Sequence, residues 1–218
     1  MTTDKQFVVT ISRELGSGGR TIGRKLAERL GVRYCDKALL RGLMERFELS
    51  ALRIEQLKGE KKSWFSDFVQ LLSPVPKASW LMGMDARYAR ELQPEVSTDD
   101  IYRAECDILH ALAEESSCVI AGRSAFFVLR DYPNKCDIFI TASREHRLRR
   151  IMAKQDIARQ DAEALLEQVD SMRENYIRRY SGKSRYDMRN YQLVLNTDEL
   201  TEDQAVELIL DFIRQTAK

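Results

Sequence analysis

The segment Phe7-Val8-Val9-Thr10-Ile11-Ser12-Arg13-Glu14-Leu15-Gly16-Ser17-Gly18-Gly19-Arg20-Thr21-Ile22-Gly23 decides the fold. Its first six residues are an apolar run that predicts a buried strand, and its glycines lead into helical spacing of Ile22, Leu26 and Leu30. Glycine lets a backbone approach an anion closely, and a helix start presents unpaired N–H groups. The segment therefore predicts a phosphate-binding loop. A tight turn whose glycines serve packing is the alternative.

The loop departs from the standard P-loop pattern G-x-x-x-x-G-K-[ST], in which lysine follows the second glycine. Here Gly19 follows Gly18, and the missing positive charge would come from Arg20 or Lys25. The hydroxyl of Thr21 is a candidate ligand of Mg²⁺. The predicted site for the phosphates of ATP is then Gly16-Ser17-Gly18-Gly19-Arg20-Thr21.

Composition narrows the class of protein. The chain has 218 residues, enough for one sizeable core or for one core plus a small subdomain, and its net charge of +1 gives no basis for nucleic-acid or acidic-membrane partners. There is no N-terminal apolar signal and no apolar run of about 18 residues. The four cysteines form no C-x-x-C pair, as expected of free thiols in a reducing compartment. We expect a cytoplasmic protein.

Further strands are predicted at 32–35, 118–121, 136–141 and 191–195, with helical patterns between them. This alternation predicts one α/β domain over 1–218, with a mostly parallel five-stranded sheet between two layers of helices. Residues 59–100 are harder to interpret because Pro74 and Pro76 break any long helix. The aromatic stretch Trp64–Trp80 would stack a nucleobase, or else form local core or a homodimer contact.

Ligands of such sheets bind at the carboxyl ends of the strands. Asp36 follows the second strand, where it would accept a proton or hold a metal-bound water, or simply cap the next helix. Arg123 follows the third strand through Gly122 and suits phosphate or carboxylate recognition, with an ion pair at the sheet edge as the alternative.

Arginines are concentrated in two later regions. Arg144, Arg147, Arg149 and Arg150 fall within seven residues, and a solvated helix face explains all but one of them. Arg173, Arg178 and Arg179 precede the small residues at 181–182, which favours a mobile lid that closes over transferring phosphates. A charge-balanced helix face is the alternative for this region too.

These motifs resemble the cytidylate kinase-like family of P-loop nucleoside monophosphate kinases. The similarity is carried by 11–20, 26–31, 34–37, 119–123, 142–150 and 173–179. It implies a helical acceptor-binding insert at about 42–100, a lid at about 155–190, and transfer of the ATP γ-phosphate, with Mg²⁺, to a nucleoside monophosphate. We assign Asp36, Lys37 and Arg123 to acceptor binding, and we expect Arg20, Asp36, Arg173, Arg178 and Arg179 to act in catalysis, with Arg20 as the substitute for the loop lysine.

One departure from the family's sequence pattern leaves functions other than nucleotide phosphorylation open. The acceptor pattern D-G-R-D of cytidylate kinases is Ala121-Gly122-Arg123-Ser124 in this chain, so both carboxylates are missing. A catalytically silent nucleotide-binding regulator and a kinase of a non-nucleotide metabolite are therefore the alternatives to a nucleotide kinase.

Overall fold

The computed structural model describes residues 1–36, 42, 46, 97–122 and 124–216. The chain divides into two compact units, Met1–Lys37 with Asp107–Lys218, and Ala38–Cys106. In the second unit, the described helical residues 98–106 include the buried Ile101, Ala104 and Glu105. Nearly all of the predicted insert, including Trp64–Trp80, lies outside the described residues, as do Lys37 and Arg123.

The first unit is built on a sheet of five parallel strands in the order β2-β3-β1-β4-β5. This sheet confirms the predicted α/β class. The strands are β1 (Val8–Arg13), β2 (Arg33–Cys35), β3 (Cys118–Ala121), β4 (Lys135–Thr141) and β5 (Leu193–Asn196). Because β1 is central, its carboxyl end lies between the ends of β3 and β4, where the sequence predicts the ligand site.

Helices connect these strands. They are α1 (Gly19–Leu30), α2 (Thr98–Glu115), the single turn α3 (Ala125–Val128), α4 (Arg144–Gln155), α5 (Arg159–Ser181) and α6 (Glu202–Thr216). A short 3₁₀ turn, Met188–Asn190, precedes β5. Among the described residues, no helix combines the length and the hydropathy that crossing a membrane requires.

Apolar side chains cover both faces of the sheet. On one face, Val9 and Ile11 of β1 and Ile138 of β4 pack in a cluster with residues of α1 and α6. On the other face, Phe139 packs with residues from α3, α5 and the segment before β5, namely Phe126, Ile177 and Tyr191. Burial of two apolar faces is what fixes a parallel sheet between helices.

Helix-capping residues lie at the helix ends and starts that the sequence predicts. Gly31 and Gly182 cap α1 and α5 in the left-handed conformation, with φ of 65° and 67°. The Ser143 hydroxyl accepts a hydrogen bond from the backbone N–H of His146 at the start of α4. Thr201 and Gln204 form the reciprocal bonds of a capping box before α6.

Candidate functional site

The loop between β1 and α1 has the strand–loop–helix geometry that the sequence predicts. Gly16 and Gly18 adopt φ of 83° and 81°, and α1 begins at Gly19. The buried Ser17 fixes the turn, because its hydroxyl donates to the Glu14 carbonyl at 2.9 Å. Thr197, beyond β5, donates its hydroxyl to the Ser17 carbonyl at 3.0 Å. The loop is therefore anchored to two strand ends, and α1 begins beside the carboxyl end of β1.

Gly16 and Gly18 differ in the space around them, and this difference gives a matched test. A Cβ on Gly16 would lie 2.7 Å from the Arg147 carbonyl oxygen and 2.9 Å from its Cα, whereas at Gly18 the nearest atom is 3.5 Å away. Both alanine variants carry the cost of a left-handed residue, about 1–2 kcal/mol. We expect Gly16→Ala to lose about a further 1–3 kcal/mol through overpacking against backbone. Urea denaturation of both variants measures it, and equal losses would contradict the packing argument.

Arg20 and Asp36 are brought together at this edge. Arg20 Nε lies 2.7 Å from Asp36 Oδ2, and Arg13 Nη2 lies 3.9 Å from Asp36 Oδ1. Asp36 is buried, whereas the Arg20 side chain is 43% exposed. The neighbouring Tyr34 donates its hydroxyl to the Arg20 carbonyl at 3.1 Å, and burial, followed by the Asp36 charge, raises the pKa of Tyr34 to about 12. The carboxylate thus sits beside two guanidinium groups.

The other two candidates on α1 differ in their surroundings. Thr21 lies in the first turn and is half-buried. Lys25 pairs with Asp203 at 2.8 Å and with Glu202 at 3.9 Å, so its ammonium group is held against the start of α6. Among the described residues, no three Cys, His, Asp or Glu side chains cluster as a metal cage. Mg²⁺ usually takes one or two protein ligands and otherwise phosphate and water oxygens, and the Thr21 hydroxyl and Asp36 carboxylate are donors of that kind.

A second charged cluster surrounds the buried Asp170 of α5. Arg147 of α4 donates through Nη1 to Asp170 Oδ2, and the backbone N–H of Leu15 donates to Asp170 Oδ1 at 3.1 Å. The same Arg147 Nη1 lies 3.4 Å from Glu14 Oε1. Glu14 also accepts a hydrogen bond from the Thr141 hydroxyl. This cluster fixes the first half of the glycine loop to α4 and α5.

Two further arginines reach the end of β1 from α5 and the segment after it. Arg173 Nη1 donates to the Arg13 carbonyl at 3.2 Å, and Arg185 Nη2 donates to the same oxygen at 2.5 Å. Arg173 also lies 3.6 Å from Asp170. Arg185 is buried, and its Nη1, 4.0 Å from Asp170, makes no hydrogen bond within the described part of the chain. An unsatisfied buried guanidinium N–H is a donor available to an anion.

The other arginines of the two predicted groups make different contacts. Arg178 pairs with Glu174 at 3.0 Å and is 66% exposed, and the Arg179 guanidinium lies 5.4 Å from the centre of the Tyr180 ring. In the first arginine group, Arg144 pairs with the exposed Glu167. Arg150 pairs with Glu202, and its Cζ is 3.5 Å from a Cβ placed on Gly18. Within these two groups, the structure therefore brings Arg147, Arg150 and Arg173 to the loop.

In the network that these contacts form among the described residues, guanidinium groups outnumber carboxylates. Five guanidinium groups are joined through ion pairs and the Arg13 carbonyl to three carboxylates: Arg13, Arg20, Arg147, Arg173 and Arg185 with Glu14, Asp36 and Asp170. Sequence reasoning missed the roles of Arg13, Glu14, Asp170 and Arg185. A sequence signal exists only for Arg13 and Glu14, which lie at the carboxyl end of β1.

An all-parallel sheet with a glycine loop between its central strand and α1 defines the class of P-loop kinase-like α/β proteins. A solved shikimate kinase from Bacteroides thetaiotaomicron has this fold, with a TM-score of 0.53 at 14% identity over 96% of this chain and 99% of its own. An uncharacterized protein from Eubacterium ventriosum is similar with a TM-score of 0.67 at 22% identity, over 96% and 99% of the two chains.

The family follows from the sequence comparison. The profile of the cytidylate kinase-like family matches residues 8–199, and the chain belongs to that family. A cytidylate kinase from Pyrobaculum aerophilum is 27% identical over 206 residues, which cover 94% of this chain and 91% of that protein. The predicted resemblance is confirmed, and the family and fold together support a kinase of nucleotides or other small molecules.

Proposed function

We propose that this protein is an ATP-dependent phosphotransferase that moves the γ-phosphate of ATP to a small acceptor, a nucleoside monophosphate. The observation that carries the proposal is that, among the described residues, five guanidinium groups and three carboxylates are joined in one network beside the glycine loop. Phosphoryl transfer gathers negative charge on the transferred group, and catalysis consists largely of positioning and of stabilising that charge. Membership of the cytidylate kinase-like family supports the same reaction.

The donor side of the proposed site is the loop Gly16-Ser17-Gly18-Gly19-Arg20-Thr21. Its positive-φ glycines and the N-terminus of α1 suit the close approach of phosphate oxygens. Thr21 and Asp36 are the residues that would hold Mg²⁺ with those oxygens. The ion, when bound, would neutralise charge on the β- and γ-phosphates.

Asp36 is the central residue of the proposed acceptor side. Its buried carboxylate would take a proton from the acceptor or hold a metal-bound water, and Arg20 at 2.7 Å would keep it oriented. We assign Lys37 and Arg123 to the acceptor as well. That assignment rests on the family pattern, because both residues lie outside the described part of the structure.

The proposed lid is α5 with the segment that follows it. Arg173 reaches the Arg13 carbonyl at 3.2 Å, so its guanidinium is at the edge of the loop where the transferred group would lie. We assign to it the stabilisation of the transition state. Arg178 and Arg179 lie in the last turns of α5 beside Glu174 and Tyr180, and their catalytic role requires those contacts to open when ligands bind.

A silent nucleotide-binding regulator is the second candidate function. The observation that favours it is the Arg20–Asp36 ion pair, since the cation proposed to replace lysine is bound to the proposed acceptor carboxylate. Such a protein would be stabilised by nucleotide, through preferential binding to the native state, without releasing ADP.

The proposal is tested by ADP release from Mg·ATP with CMP, dCMP, UMP, AMP or GMP, and with no acceptor. We expect release that depends on one of these acceptors. We expect Arg20→Ala to lower turnover about tenfold or more, because a charge-assisted contact is lost. Arg24→Ala is the matched control, because Arg24 pairs with Glu28 on the exposed side of the same helix.

Two outcomes would contradict the proposal. The first is that none of the acceptors increases ADP release although the protein unfolds in a cooperative thermal transition and is stabilised by ATP. That result would favour the silent regulator. Release on a phosphorylated or hydroxylated metabolite, with none on nucleotides, would instead identify a metabolite kinase.

A further inference from the structure

Arg13 and Gly19 both depart from the P-loop pattern. When G-x-x-x-x-G-K-[ST] is placed on residues 13–20, Arg13 stands where the first glycine belongs, and Gly19 stands where the lysine belongs. Arg20 stands where the serine or threonine belongs, so the chain has lost a cation at one position of the pattern and gained cations at its first and last positions. The changes at positions 13 and 19 are related if side chains at these two positions would occupy the same space.

The contacts of Gly19 show that the two positions share one space. A Cβ added to Gly19 would lie 2.6 Å from Arg13 Cβ and 3.2 Å from Arg13 Cγ. The side chain of Arg13 thus leaves β1 through the volume in which any side chain at position 19 would begin. A long side chain at one position therefore excludes a long side chain at the other. Glycine at position 19 leaves free the space that the arginine at position 13 occupies.

The other end of the Arg13 side chain lies against a second glycine. A Cβ on Gly122 would lie 1.8 Å from Arg13 Nη1 and 3.0 Å from Arg13 Cζ. Gly122 has a φ of 77°, and its N–H donates to the Ile11 carbonyl at 2.8 Å, so this stretch of backbone is fixed against β1. The Arg13 side chain, 16% exposed, therefore lies in a slot between the ends of β1 and β3 that only glycines leave open.

The guanidinium in this slot is surrounded by the proposed reaction centre. Arg13 Nη2 lies 3.9 Å from Asp36, a longer pair than the 2.7 Å contact of Arg20 with the same carboxylate. The backbone carbonyl of Arg13 holds Arg173 and Arg185. The donor loop, the acceptor carboxylate and the lid arginines therefore all meet at this one residue.

We propose that Arg13, rather than Arg20, supplies the phosphate-binding cation that other P-loop proteins draw from the loop lysine. The inference rests on the proposed function and names the residue that holds the triphosphate. The guanidinium reaches the phosphates from the strand side of the loop, and its planar fork binds two phosphate oxygens at once. Arg20 is then left to position Asp36.

The test is the affinity for Mg·ATP, measured by isothermal titration calorimetry on wild type and four variants. Arg13→Ala is expected to weaken binding about tenfold to a hundredfold through loss of a charge-assisted contact. Gly19→Lys alone is expected to weaken it as well, because its side chain collides with Arg13. The double variant Arg13→Gly with Gly19→Lys restores the standard pattern and is expected to recover most of the affinity. Arg24→Ala is the control and keeps wild-type affinity.

Folding does not confound the comparison. The contacts of Arg173 and Arg185 are to the main-chain oxygen of residue 13, so every variant retains that acceptor. Thermal melting of each variant checks that it is native. Rescue in the double variant is a gain that a merely unfolded or strained protein would not show.

The outcomes separate this inference from the proposed function. Wild-type affinity in Arg13→Ala, or a double variant no tighter than Gly19→Lys, overturns the role of Arg13 even if wild type is an active kinase. Failure of wild type to transfer phosphate to any acceptor overturns the proposed function, while the binding series still decides the role of Arg13. Absence of Mg·ATP binding by native wild type overturns both.

Discussion

Replacing Asp170 by alanine is expected to lower the free energy of unfolding by about 3–5 kcal/mol, the cost of breaking a buried ion pair on one side. Asp170 is buried and accepts from Arg147 Nη1 and from the backbone N–H of Leu15. Arg173 and Arg185 lie 3.6 and 4.0 Å from Oδ1, the oxygen that accepts from Leu15. Its removal takes this carboxylate away from three guanidinium groups, of which Arg147 still lies 3.4 Å from Glu14, and the loop loses the hydrogen bond from Leu15 to α5.

Urea or thermal unfolding of Asp170→Ala measures this loss. Glu167→Ala is the matched control on the same helix, because Glu167 pairs with Arg144 where both side chains are at least half exposed. Such surface pairs contribute about 0–1 kcal/mol. Asp170→Asn should fall between the two, since the amide oxygen still accepts from Leu15 but the negative charge is gone. Equal losses in Asp170→Ala and Glu167→Ala would show that the buried cluster is not a source of stability.

The fold was predictable because its signals are local. The apolar run at 118–121 is buried at every residue, as a strand covered on both faces requires, and Gly31 and Gly182 end helices through the conformation that glycine favours. The predicted end points of strands are wrong where contacts between distant parts of the chain decide them. The sequence pattern predicts Tyr191 in the last strand, but its hydroxyl donates to the Arg185 carbonyl and β5 begins at Leu193.

The site was less predictable because its pairings are long-range. Asp170 bonds to Leu15, 155 residues away in sequence, and no local pattern relates the two positions. Arg178 and Arg179 stand out in the sequence as neighbours in a basic run, yet helix geometry leaves Arg178 66% exposed beside Glu174. The role of Arg13 is not predictable from a local pattern, because it depends on the two glycines that its side chain contacts.

Asp36→Asn is expected to lower turnover about 10²–10⁴-fold, the usual contribution of a positioned acid or base. The substitution keeps the size of the buried side chain but removes the charge that would take the acceptor's proton or hold a metal-bound water. The affinity for Mg·ATP should change much less than turnover, because the glycine loop and Arg13 hold the phosphates in our proposal. Loss of the charge also releases Arg20, whose Nε is 2.7 Å from the carboxylate.

Single-turnover ADP release with the acceptor found by the panel measures the effect, and calorimetry gives the affinity separately. Asp198→Asn is the control at the same edge of the sheet, because Asp198 accepts from the backbone N–H of Ser143 at 2.8 Å, which an amide oxygen also does. Undiminished turnover in Asp36→Asn would exclude Asp36 from the reaction. Weaker affinity with unchanged turnover at saturating Mg·ATP and acceptor would instead place it in ground-state binding, because an interaction made equally in the ground state and the transition state does not alter turnover.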